Sequence, residues 1–142
     1  MQRHFIQLSW MLLLTVILSA CASVTEFRRG NIYEARVYQF SHDLRWGDYE
    51  KAYAYIKMRD RPPKPLDLDY LKQIRVTRYE LIKEMPLASD EKGATEIQSL
   101  YEVDFYHRSN NIVKNFRYQQ VWWYDKTLDN WFLDTDLPDF KL

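Results

Sequence analysis

The sequence predicts an α+β domain in which two or three N-terminal helices pack on a curved antiparallel sheet of three to four long strands. Three observations carry that expectation. Apolar residues recur at steps of three and four from Tyr33 to Ile56, then at steps of two from Ile74 onwards, a change from helical to strand period. The helical stretches precede the strands instead of alternating with them, which is the order of an α+β domain. Aromatic residues make up 16% of the 142 residues, with 11 Tyr against 3 Gly, and tyrosine-rich, glycine-poor chains favour sheet.

The first helix is expected from Asn31-Ile32-Tyr33-Glu34, which has the spacing of a capping box. Tyr33, Val37, Phe40 and Leu44 then form one face, and Trp46-Gly47 ends it. Asp48 caps a second helix whose stripe is Tyr49, Ala52, Tyr53 and Ile56. Arg61-Pro62-Pro63-Lys64-Pro65 is an extended connector, because proline cannot continue a helix. Asp67 to Lys72 adds a short helical turn.

Strand period begins at Ile74 and Val76, then slips by one residue to Tyr79 and Leu81, the mark of a β-bulge that curves the sheet. Pro86 to Gly93 reads as a polar loop. Ala94 to His107 places Ile97, Tyr101, Val103 and Phe105 on one face and Glu96, Gln98, Glu102 and Asp104 on the other. Ile112 to Tyr124 is a further strand, and Asp125 to Asn130 turns into Trp131-Phe132-Leu133.

Residues 1–20 contain no acid. Arg3 precedes a mostly apolar run from Phe5 to Ala20, which as a helix would span only ~24 Å against a hydrocarbon core of ~30 Å. A basic front, a short apolar core and small residues behind it mark a secretory signal. The signal ends in Leu18-Ser19-Ala20-Cys21, which resembles the lipobox of bacterial lipoproteins. That resemblance implies cleavage before Cys21, acylation of its sulfur and of the new amine, and a lipid-anchored chain. Ala22, where the inner-membrane retention signal would have Asp, implies the outer membrane of a Gram-negative envelope, facing the periplasm. The alternative is an ordinary signal peptide in which Cys21 is incidental. Residues 1–20 are thus read as the signal, 21–30 as a lipidated tether and 31–142 as one domain. Ser23-Val24-Thr25-Glu26 also has capping-box spacing, so a helical turn could begin inside the tether.

The remaining composition mostly excludes. Twenty basic residues balance twenty acidic ones, which argues against a nucleic-acid binder. A single cysteine permits neither an intrachain disulfide nor a cysteine zinc site, and the histidines have no recurrent metal-ligand spacing. Neither a nucleophile elbow nor a phosphate-binding glycine loop is present. No cofactor is expected.

The helix junction Leu44-Arg45-Trp46-Gly47-Asp48-Tyr49 and the final hairpin through Val121-Trp122-Trp123-Tyr124 and Asn130-Trp131-Phe132-Leu133 resemble the cystatin-like cone of the nuclear-transport-factor-like superfamily. A plain helix-on-sheet domain is the alternative. The resemblance implies an interior pocket, for which His107, Tyr101, Tyr118 and Gln120 are the candidate residues; His107 could act there as a general base. The competing reading makes His107 a hydrated turn residue and Gln120 a hydrogen-bonded core amide. Adjacent strand residues point to opposite faces, so Trp122 is placed inward and Trp123 outward. Trp123, Val121, Leu100 and Tyr106 then form a candidate interface for a second copy or an envelope protein, unless the C-terminal tail, Arg117 or Gln119 covers Trp123. The function expected is a non-catalytic, lipid-anchored binding or assembly module. The alternative is a ligand-binding protein or enzyme using the cone interior near His107.

Overall fold

Three helices, α1 (Gln2–Trp46), α2 (Tyr49–Tyr53) and α3 (Leu68–Leu71), precede four strands, β1 (Ile74–Asp90), β2 (Gly93–His107), β3 (Val113–Asp125) and β4 (Asn130–Leu133). The structure is a computed structural model describing the backbone of residues 2–141 and the side chains of residues 24–141. The side chain of Cys21, and with it the acylation expectation, lies outside the described residues. The strands form one open antiparallel sheet in the order β1-β2-β3-β4. The class is therefore α+β, with a long N-terminal helix laid across a four-stranded sheet. Among the described residues no helix is long and apolar enough to cross a membrane.

The expected helical face is present: Tyr33, Phe40 and Leu44 are buried and Val37 is partly buried. They meet the inward residues Tyr101, Val103, Phe105, Tyr118 and Trp122 of β2 and β3. Trp122 stands at the centre, wholly buried, with Phe40 edge-on at 5.7 Å, Tyr33 at 6.4 Å and Tyr55 at 6.4 Å. Gly47 ends α1 with φ +82°, while the Asp48 amide donates to the Asp43 carbonyl at 2.8 Å, the closure of a Schellman-type terminus. The C-terminal tail folds back to place Phe140 against Phe105 at 5.1 Å and Phe116 at 5.8 Å.

Three boundaries differ from expectation. First, α2 takes no side-chain cap bond from Asp48 and stops at Tyr53, and Ile56 leaves the helical stripe to bridge Leu133 beside the sheet. Second, α1 does not begin at Asn31: residues 21–30 are already helical, where the sequence points at most to a turn beginning at Ser23-Val24-Thr25-Glu26. A glycine weakens a helix by only ~1 kcal/mol, and flanking contacts outweigh that here, since Arg29 is buried against the sheet. Third, Pro86 to Asp90 is strand, not loop, and Pro86 opposes Ile97. β1 is an edge strand, where a residue without an N–H costs no ladder bond. The single bulge expected after Val76 is one of several register shifts, at Val76/Arg78, Leu81/Lys83, Pro86/Ala88 and Ala88/Ser89. The turn into β2 closes on Gly93, whose φ is +101° and whose Cβ position lies 3.0 Å from the Glu26 side chain. This hairpin tip therefore abuts the root of α1.

The other edge is protected. The β4 residue Leu133 donates its amide to the Tyr55 carbonyl at 2.9 Å and accepts the Lys57 amide at 3.0 Å.

Gly30 lies inside α1 with open space where a Cβ would stand. Gly30→Ala should therefore stabilise the protein by about 0.5–1 kcal/mol, read as a higher urea midpoint. An unchanged midpoint would mean that residue 30 is not helical. Gly93→Ala should cost about 1–3 kcal/mol, because its positive φ is forced by the turn.

Candidate functional site

The interior residues singled out from sequence fall into two groups. Tyr101 and Tyr118 are register partners on the face that α1 covers, and Gln120 lies two residues further along β3. Gln120 is wholly buried, and its amide is used at both ends: Nε2 donates to the Tyr79 hydroxyl, and Oε1 accepts from Trp122 Nε1 at 2.8 Å. The Tyr79 ring stacks on Tyr101 at 4.5 Å, and the Tyr118 hydroxyl donates to the Asp136 carbonyl at 2.7 Å. Burial pushes the Tyr101 phenol up to about 12 and raises those of Tyr79 and Tyr118 well above their ordinary value. These phenols are neutral hydrogen-bonding groups near neutral pH, unsuited to serve as bases.

His107 is not with them. It lies at the far end of β2, opposite Ile74, roughly 20 Å along the strand from Tyr101 at ~3.3 Å per residue. Its Nδ1 shares a 2.7 Å hydrogen bond with the Ser109 hydroxyl, and its ring lies 5.4 Å from Tyr70. The alternation that put His107 in phase with Tyr101 is correct, but phase says nothing about distance along a strand.

Trp123 does point to the outer face, and it is half-buried there. The connector after α2 meets it. Trp123 Nε1 donates to the Lys57 carbonyl at 2.8 Å, and its ring meets Phe132 at 6.0 Å with Arg59 at 5.7 Å. Arg59 is itself fixed by Glu96 at 2.9 Å and Asp134 at 2.7 Å. Val121 opposes Gln98, Leu100 opposes Gln119 and Tyr106 opposes Val113. The Glu102–Arg117 and Asp104–Asn115 pairs stand between Tyr106 and the rest, so the outer face alternates polar with apolar. The exposed apolar row is elsewhere, on the β1 edge: Leu81, Ile82, Met85 and Leu87 are 38–48% exposed. Lys83 and Pro86 are residues typical of an edge, and they were the available signal for it.

The most elaborate polar constellation contains Arg28 and Arg29, which the sequence alone leaves open between lipid head groups and plain solvent, and joins them to turns that the sequence does not connect with them. It lies where the root of α1 passes between the β1–β2 and β3–β4 turns, around a cleft of about 470 Å³. Arg29 is 7% exposed; its guanidinium donates to Asp90 at 2.8 Å and lies 4.4 Å from the centre of the Tyr124 ring. Asp90 also receives Lys126 at 2.9 Å. Arg28 pairs with Asp129 at 2.6 Å, and Asp129 accepts from the Tyr124 hydroxyl. The Arg29 carbonyl accepts from Trp131 Nε1 at 3.1 Å, which ties the backbone of the helix root to β4. Arg29, then Lys126, then the Lys92 amide hold the Asp90 carboxyl well below the usual carboxylate range.

Gln120→Leu should remove the acceptor of the buried Trp122 indole and cost about 1–3 kcal/mol by urea denaturation; an unchanged midpoint would show the indole satisfied elsewhere. Asp90 has the opposite sensitivity to acid. Its folded-state value lies below its unfolded one, so its contribution is full above the unfolded value and lost as pH falls through the folded one. The stability gap between wild type and Asp90→Asn should be constant above about pH 5 and narrow steadily from there to about pH 2. A gap independent of pH would show that ionic pairing of Asp90 is not what holds the helix root.

Neither a protein-family model, nor a curated protein, nor a solved structure matches this chain.

Proposed function

We propose that this protein is a lipid-anchored module of the bacterial cell envelope, acting by binding or assembly and without catalysis. The observation that carries this reading is Leu18-Ser19-Ala20-Cys21, a lipobox-like quartet ending in the only cysteine of the chain and preceded by a short, acid-free apolar run. Acyl chains on Cys21, at ~0.8 kcal/mol per buried methylene, would hold the protein at a bilayer almost permanently. The Ala22 that follows favours the outer membrane, with the domain facing the periplasm.

The filled interior supports a non-catalytic role. Where a cone-shaped enzyme needs a cavity, this chain has Gln120 and Trp122 wholly buried and Tyr101 and Tyr118 nearly so. The repeated register shifts of β1 are of the kind that bend a strand, and on that support we read the domain as a filled variant of the cystatin-like cone.

Labelled palmitate supplied to cells should enter the wild-type protein and not Cys21→Ser, which should also keep residues 1–20. Equal labelling of the two, or cleavage of the variant, would overturn the anchor. His107→Ala should complement loss of the gene completely; a folded His107→Ala protein that fails to do so would overturn the non-catalytic reading.

A further inference from the structure

We infer that the root of α1 docks onto the bilayer surface itself, inserting Val24, Phe27 and Leu128 among the lipids so that the helix leans instead of standing upright. The inference deepens the proposed anchor and rests on it for the nearness of the bilayer.

Exposed apolar residues gather at this end of the molecule. Val24 is 65% exposed and Phe27 71%, both within two turns of Cys21 on a helix unbroken between them. Leu128 is 55% exposed on the β3–β4 turn, next to the Asp129 that pairs with Arg28. Further along α1 the next exposed large apolar residue is Tyr38, and the exposed positions before it include Asn31 and Glu34.

The helix sets their direction. Successive residues are about 100° apart around a helix axis. Glu26 reaches the Gly93 turn and so marks the side of α1 that faces the sheet. Val24 stands roughly 160° around from it, with Phe27 and Arg28 flanking Val24 at about 60° and 40°. Through Arg28 that arc reaches Asp129 and its neighbour Leu128. The three apolar side chains thus share the side of the root that faces away from the sheet. Along the axis Val24 lies ~4.5 Å from Cys21 and Phe27 ~9 Å. An upright helix would lift Phe27 above a head-group layer only ~5–8 Å deep. A lean toward the Val24 side lowers all three into the ~5–10 Å depth that interfacial helices reach.

Charge and area select the occupant. Arg28, Arg29, Lys92 and Lys126 are met at this end by Glu26, Asp90, Glu91 and Asp129, four against four. With no excess of either sign, the contact is apolar and draws nothing from anionic lipid. Three side chains of this kind expose on the order of a few hundred Å², whereas a stable protein–protein contact buries at least ~1,000 Å². A bilayer requires no such area: the acyl chains on Cys21 supply the affinity, and insertion has only to set the orientation.

The test uses the protein purified from cell membranes into phosphatidylcholine nanodiscs, with the state of Cys21 read by mass spectrometry. Lipid carrying a nitroxide near the top of its acyl chain and a soluble gadolinium chelate are added in turn, and backbone amide relaxation is measured. The lipid nitroxide should relax the amides of Val24, Phe27 and Leu128 at least fivefold more than that of Trp46 at the far end of α1, and the chelate should reverse the order. Exchanging part of the lipid for phosphatidylglycerol, or raising the salt, should leave the pattern unchanged. Phe27→Glu combined with Leu128→Glu, both at exposed positions, should abolish the lipid effect at Val24, while Tyr38→Glu should leave it within twofold. Equal loss in both variants would reduce the effect to net charge and overturn the docking. Root amides as open to the chelate as Trp46, on a chain with its acyl groups in place, would overturn the docking and leave the anchor standing. Shielding from the chelate without any effect of the lipid nitroxide would show a second copy or another protein on the root, and overturn the bilayer as its occupant. An effect seen only with phosphatidylglycerol would overturn the apolar basis of the contact. A chain without acyl groups on Cys21 whose root still meets the lipid nitroxide would overturn the anchor and support the docking.

Discussion

The covering of one sheet face by one helix is the constraint on which the rest of this fold depends. Among the described residues α1 is the only long helix, α2 and α3 being one turn or so each. The inward residues of β2 and β3 would otherwise face water. Trp122 shows how the cover works: Phe40, Tyr33 and Tyr55 meet its indole largely edge-on, a geometry worth ~0.5–1.5 kcal/mol per pair beyond burial. The indole N–H must also be satisfied in that dry setting, which is why a glutamine is buried beside it. The wholly buried Gln120 and Trp122 side chains fill the part of the interior beneath Phe40 and Tyr33.

The helix root obeys a different balance. Here α1 leaves the apolar face and is held by charge: Arg29 on Asp90, Arg28 on Asp129, and the Trp131 indole on the helix backbone. Exposed ion pairs are individually weak, but those of Arg29 are sheltered beneath Tyr124. The two turns that supply Asp90 and Asp129 are distant in sequence and meet beside α1, where Lys126 of the second turn also bridges directly to Asp90. A helix held at its root in this way transmits its orientation directly to the domain, which a flexible tether would not do.

Much of the fold was legible in the residue pattern. The stripe of Tyr33, Val37, Phe40 and Leu44, the break at Gly47 and the alternation of β2 follow from local geometry, and local geometry is what periodicity encodes. The opposite placement of Trp122 and Trp123 was readable for the same reason. Pro86 was misleading because proline is a breaker in most contexts, and only its position on an edge strand makes it harmless. Leu81 was read in the core phase, yet it is substantially exposed, since a correct phase does not ensure that another element covers that part of the strand.

The candidate site shows the same division. The sequence by itself determined the lipobox-like quartet at Cys21, the helices-then-strands order and the two faces of each long strand, because each is a matter of neighbours along the chain. It also limited the chemistry, through one cysteine and balanced charge. Only the tertiary structure decided that His107 stands apart from Tyr101, that the Lys57–Arg59 connector covers Trp123, and that Arg28 and Arg29 belong to a cleft. Those outcomes depend on which segments meet at long range. Two arginines in a stretch that reads as a tether look solvated until the turns carrying Asp90 and Asp129 close around them.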